Sequence, residues 1–178
     1  VQALHLATNA REVVSTDAER FGWSFAFGGH LPHDFPDTAG VVAAPWWRQV
    51  FGADWRHPEG PHSDVQTQGD HPVVHVSWFD AVPYCRWTGT RLPSEAEWEF
   101  AARGREGRRY PWGDAEPTRQ LAVYDREGTL RVGSCPSGAG PFGHQDLAGN
   151  VWEWCSDWYG NGYYAGSPGR NPTGPDGG

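Results

Sequence analysis

The ten residues Asp146-Leu147-Ala148-Gly149-Asn150-Val151-Trp152-Glu153-Trp154-Cys155 restrict this chain more than any other stretch. Gly149 and Asn150 both tolerate positive φ, so the segment is expected to turn there. Two carboxylates, Asp146 and Glu153, flank that turn. If the segment curls, their oxygens and the intervening carbonyls converge, which is the hard-oxygen donor set of a calcium site. If the chain instead extends past the turn, Trp152 and Trp154 point to one side of a strand and Glu153 ends in a buried salt bridge. Spacing alone leaves both arrangements open.

The remainder of the sequence narrows the fold class. A chain of 178 residues fits one domain with one core. Eleven Trp, eight Phe and six Tyr supply large contact areas, while 24 Gly and 15 Pro interrupt regular structure. The combination implies a loop-rich domain held by aromatic packing. A net charge of −8 argues against nucleic acid and anionic membranes as partners. No apolar run reaches the length of a membrane span. The start, Val1-Gln2-Ala3-Leu4-His5, does not read as a signal peptide and has no initiator Met, so the chain reads as a fragment. Cys85, Cys135 and Cys155 are odd in number and irregularly spaced, which suits neither a disulfide framework nor a zinc motif. A reduced, cytoplasmic setting and a monomer are the expectations.

Local signals place the elements. Residues 8–14 could form a short helix, and Ser15-Thr16-Asp17 offers an N-cap for a turn through Arg20. The alternation from Phe21 to Phe27 predicts a strand ended by Gly28-Gly29. Trp46 and Trp47 are adjacent, so on a strand they cannot both face inward, and one is expected at the surface or in a groove. His71-Pro72-Val73-Val74-His75-Val76 reads as a buried strand. Ser77-Trp78-Phe79-Asp80 and Ser94-Glu95-Ala96-Glu97 are two capping boxes, opening helices that stop at Gly89 and Gly104. Pro83 inside the first of these is expected to bend it. Tyr110-Pro111-Trp112-Gly113-Asp114 is an aromatic turn, and short strands are expected near 121–124 and 130–133. His57 and His62 read as loop histidines and not as metal ligands.

Several of these blocks together resemble the sulfatase-modifying-factor family. They include Ala44-Pro45-Trp46-Trp47, Asp54-Trp55-Arg56-His57-Pro58-Glu59-Gly60, His71 to Trp78, Arg91-Leu92-Pro93-Ser94-Glu95-Ala96-Glu97-Trp98-Glu99 and Gly149-Asn150-Val151-Trp152-Glu153-Trp154. The resemblance implies a mixed α+β, loop-rich fold related to C-type lectins. It implies oxygen-dependent oxidation of a sulfatase cysteine to Cα-formylglycine, on an unfolded peptide carrying a cysteine–proline–arginine motif. By the same resemblance, Ser24 and Trp46 line the peptide groove and Trp152 borders the reaction pocket. The resemblance also implies that Asp146, the Gly149 carbonyl, the Val151 carbonyl and Glu153 hold a structural calcium.

In the family, copper(I) is bound by a cysteine pair near the C-terminus, a donor set suited to that soft ion. The resemblance implies that this pair would follow Asn171-Pro172-Thr173-Gly174-Pro175, and none of the three cysteines present matches it. The domain is therefore expected to be incomplete at both ends and, as written, inactive. Two alternatives stand beside the enzyme reading. One is a non-catalytic relative that binds peptides or sulfatases; the other is an iron-dependent oxygenase of the hercynine type.

Overall fold

The computed structural model describes residues 15–177. The helix expected at 8–14 lies outside them. The described residues form two compact units: one runs to Thr88 and takes in Arg126–Arg131, and the other comprises Gly89–Asp125 and the chain from Val132.

The first unit begins with helix α1, Asp17–Phe21. A five-residue helix has little cooperativity of its own, so its ends decide its existence. Thr16 Oγ1 accepts from Glu19 N at 3.3 Å, and the Glu19 carboxylate accepts from Thr16 N at 2.7 Å. This is a complete capping box, at the place where Ser15-Thr16-Asp17 suggested an N-cap. Strands β1 (Trp23–Phe27), β2 (Gly40–Val41) and β3 (Ala44–Phe51) follow and pair antiparallel in the order β1-β3-β2.

The register sets Ser24 opposite Val50 and Ala26 opposite Arg48. The small side chains of β1 thus share a face with Val50, and Ala26, Val50 and Ala53 form a core closed by Leu31 and Phe35. The rings occupy the other face, where Trp23 meets Phe25 edge-on at 5.3 Å and Phe27 meets Trp47 at 6.1 Å. Trp46 and Trp47 point to opposite faces, as adjacent strand residues must. Trp46 is 52% exposed.

Helix α2, Trp78–Thr88, runs through Pro83 and stops at Gly89, whose φ is 71°. Ser77 N donates to Asp80 Oδ2 at 2.7 Å, and Asp80 N donates to Ser77 Oγ at 3.2 Å. Asp80, only 8% exposed, also accepts from Asp17 N at 3.1 and 3.3 Å. One buried carboxylate therefore satisfies orphan N–H groups at the starts of both α1 and α2. The segment before α2 departs from expectation. Residues 71–76 form no strand, Val73 is 42% exposed, and His75 has φ 56°, which interrupts any extended run.

The second unit is built on helix α3, Glu95–Arg103, with the expected box between Ser94 and Glu97. Arg91 grips Glu97 with two N–H groups at 2.6 and 2.7 Å. With the Ser94 N–H, it holds the Glu97 carboxyl down to about 2. The chain returns to this helix start much later: Glu95 N donates to Asp157 Oδ1 at 2.8 Å, and Ser156 N to Pro93 O at 2.8 Å. Tyr110 and Gly113 exchange two backbone hydrogen bonds, and the Tyr110 and Trp112 rings stack at 5.1 Å, forming the aromatic turn.

The strands expected at 121–124 and 130–133 are not formed. Within the second unit, one parallel bridge joins Val123 to Gly149. Asn150 N donates to Val123 O at 2.9 Å, and Val123 is buried. At Gly149, φ is 96°, and a Cβ would lie 2.2 Å from the Val123 carbonyl oxygen. The two backbones approach closely enough that only glycine fits.

Two expected outcomes follow from these contacts. Asp80→Ala should lower stability by about 3 kcal/mol, because several N–H groups lose a charged acceptor. Thermal melting checks it; a loss near zero excludes the shared cap. Gly149→Ala should cost at least about 2 kcal/mol, from backbone strain plus overlap. Gly143→Ala is its control, with φ 85° and open space around the added carbon. Equal losses in the two variants would show that the close approach to Val123 contributes nothing.

Candidate functional site

In the second unit, Asp146, Gly149, Val151, Trp152 and Glu153 line one cavity of about 320 Å³. Positive φ at Asp146 (59°), Gly149 (96°) and Asn150 (67°) produces the curl. Residues 151–155 form no strand, and both carboxylates line the cavity. The tryptophan-rich strand is thereby excluded, and Glu153 pairs with an indole: its Oε2 accepts from Trp98 Nε1, on α3, at 2.6 Å. Asp146 Oδ2 accepts from Gly133 N at 2.6 Å. A carboxylate accepts at about four lone-pair positions, so both retain acceptor capacity. Carboxylate and carbonyl oxygens are the donors a calcium ion takes, and on that chemistry the four residues fit it.

Among the described residues, no group of three or more His, Cys, Asp or Glu side chains gathers at one point. Trp152 is 91% exposed. Cys155 lines the same cavity, and its thiol is pushed up by burial first, then by Asp157, Glu95 and Glu153. Such surroundings favour the protonated thiol, whereas copper(I) takes thiolates. Cys135 is buried and its Sγ lies 3.8 Å from the Arg119 carbonyl oxygen.

In the first unit, Ser24 and Trp46 occupy the same face of the sheet. Ser24 pairs with Val50, and Trp46 lies four residues along β3 from that position, about 13 Å at strand spacing. Ser24 Oγ lies 2.9 Å from His75 Nδ1, and His75 Nε2 lies 2.8 Å from the Pro58 carbonyl oxygen. Burial lowers the His75 pKa, outweighing the opposing effects of the Pro58 carbonyl, Glu59 and Asp54. His75 was assigned to a buried strand in the sequence, and its contact with Ser24 was missed there. The one legible hint was a titratable ring inside the apolar run Val73-Val74-His75-Val76. His57 is held structurally, with Nδ1 2.6 Å from the Ser63 carbonyl oxygen. An open cleft of about 950 Å³, lined by Phe35, Arg48, Glu59 and His62 among others, lies in the same unit.

Comparison with known proteins identifies the family. Residues 7–175 match the family model described as the Sulfatase-modifying factor enzyme 1-like domain. The chain is 48% identical to the formylglycine-generating enzyme of Streptomyces coelicolor, over 90% of this chain and 56% of that protein. It is 44% identical to the formylglycine-generating enzyme of Bos taurus, over 92% of this chain and 48% of that protein. It is also 43% identical to the inactive C-alpha-formylglycine-generating enzyme 2 of Mus musculus, over 81% of this chain and 51% of that protein. The chain thus spans about half the length of the curated relatives it matches. Among solved structures, PvdO from Pseudomonas aeruginosa matches with a TM-score of 0.50 and 25% identity, covering 78% of this chain and 52% of that one. Few helices, a small antiparallel sheet and long ordered loops make this an α+β fold, and the chain belongs to the sulfatase-modifying factor family.

Proposed function

We propose that this chain supplies the peptide-binding scaffold of an enzyme that oxidises a cysteine thiol to Cα-formylglycine. The substrate is an unfolded sulfatase peptide with a cysteine–proline–arginine motif, and oxygen is the oxidant. The observation that carries this reading is the 48% identity to a formylglycine-generating enzyme across 90% of the chain. Ser24 and Trp46, on one face of the sheet, contact the peptide. Trp152 offers an exposed indole as a wall of the reaction pocket. No step of the oxidation is assigned to Cys85, Cys135 or Cys155.

Asp146, the Gly149 and Val151 carbonyls and Glu153 would hold a structural calcium ion. Bound there, the ion would offset the two carboxylate charges and pin the curl between them. Trp98 and the Gly133 N–H orient those carboxylates. A second reading, a non-catalytic peptide binder, is favoured by one observation: a 43% identical relative is described as inactive.

The enzyme reading is tested on the whole product of the natural gene, with copper(I), oxygen and the synthetic peptide. Trapping with a hydrazine reagent should reveal an aldehyde at the former cysteine. Peptide binding with no aldehyde rejects the oxidase in favour of the binder. For calcium, saturation at about a hundred times Kd adds about 2.7 kcal/mol. Chelation should therefore lower the melting temperature by about 5 °C or more. A melting temperature that ignores excess chelator rules the ion out.

A further inference from the structure

The contact between Ser24 and His75 decides which way the serine's hydrogen bond runs. A backbone carbonyl only accepts, so the 2.8 Å contact of His75 Nε2 with Pro58 O requires the ring proton on Nε2. Burial disfavours the imidazolium, which leaves Nδ1 with a bare lone pair. That lone pair sits 2.9 Å from Ser24 Oγ and accepts the single hydroxyl proton. Ser24 is left with oxygen lone pairs and no proton to offer. The surroundings hold this geometry from both sides. Ser24 is locked in β1 opposite Val50, and His75 is held at φ 56°, a conformation that His adopts more readily than most residues.

We propose that His75 is a positioning residue that makes Ser24 an obligate hydrogen-bond acceptor, so that a peptide laid against it is recognised there through a main-chain N–H. This rests on the peptide-binding reading of Ser24. The main-chain N–H is the donor that an extended peptide carries whatever its side chains, so such a contact suits an unfolded substrate of varied sequence. Ser24 remains partly exposed, as a contact residue must.

The test has two arms on the full chain. Long-range proton–nitrogen NMR of the His75 ring should show Nε2 protonated and Nδ1 bare. Binding is then titrated with a synthetic peptide carrying the cysteine–proline–arginine motif, and with analogues N-methylated at one backbone position each. One analogue should bind the wild-type chain about fivefold to tenfold more weakly, the equivalent of one hydrogen bond. The same methylation should cost nothing further in Ser24→Ala, and distinctly less in His75→Gln, whose amide reaches the Nε2 position and leaves Ser24 free to rotate and donate as well as accept. His75→Asn places an acceptor near the Nδ1 position, tolerates positive φ, and should restore the penalty. A proton found on Nδ1 overturns the proposal whether or not any variant folds. So does a folded His75→Gln that keeps the full penalty, and in that case the peptide-site reading survives. Failure of the wild-type chain to bind any peptide refutes the peptide-site reading itself.

Discussion

Unsatisfied N–H groups at helix starts are the constraint that organises this molecule. In a chain so rich in glycine and proline the described helices are short, and the first turn of each leaves donors that nothing inside the helix can meet. Among the described residues, each of three α-helices answers with a reciprocal box, Thr16 with Glu19, Ser77 with Asp80 and Ser94 with Glu97. The same ends then take partners from elsewhere in their own unit. Asp80 closes α1 as well as α2, and Asp157 returns to Glu95 N on α3. Helix starts thus act as joints, taking over work that long sheets do in other folds.

The candidate sites inherit their positions from these joints and from close backbone contact. Glu153 is oriented by an indole on α3, and Asp146 by a backbone N–H thirteen residues earlier. Gly149 lets the curl press against Val123, so the carbonyls on either side of it are held by main chain. Ser24 is placed by strand register and aimed by a half-buried ring. In each case rigid backbone supports a polar group at a surface otherwise rich in aromatic side chains.

The parts legible in the sequence were those with short-range causes. The boxes at Ser77 and Ser94, the stops at Gly89 and Gly104, and the turn at Tyr110 each depend on residues within a few positions of one another. The alternation in β1 was legible too, although its core lies on the small side chains and the rings take the other face. Position 75 was misread because an apolar run with a histidine looks extended, and a left-handed backbone leaves no signature in hydrophobic spacing. Residues 121–124 show strand-like composition but find a partner at one position, Gly149, so no ladder grows. Glu153 was expected as a cation ligand from its spacing to Asp146. Nothing local announced that Trp98, 55 residues earlier, would hold it.

That separation has a temporal consequence. Ser94, Glu97 and Arg91 lie within seven residues of one another, so α3 can close its own start as soon as it is made. The carboxylate for its indole is synthesised 55 residues later, roughly 3 to 11 seconds at ordinary translation rates. During that interval the helix has its local cap but not the carboxylate that receives its indole N–H.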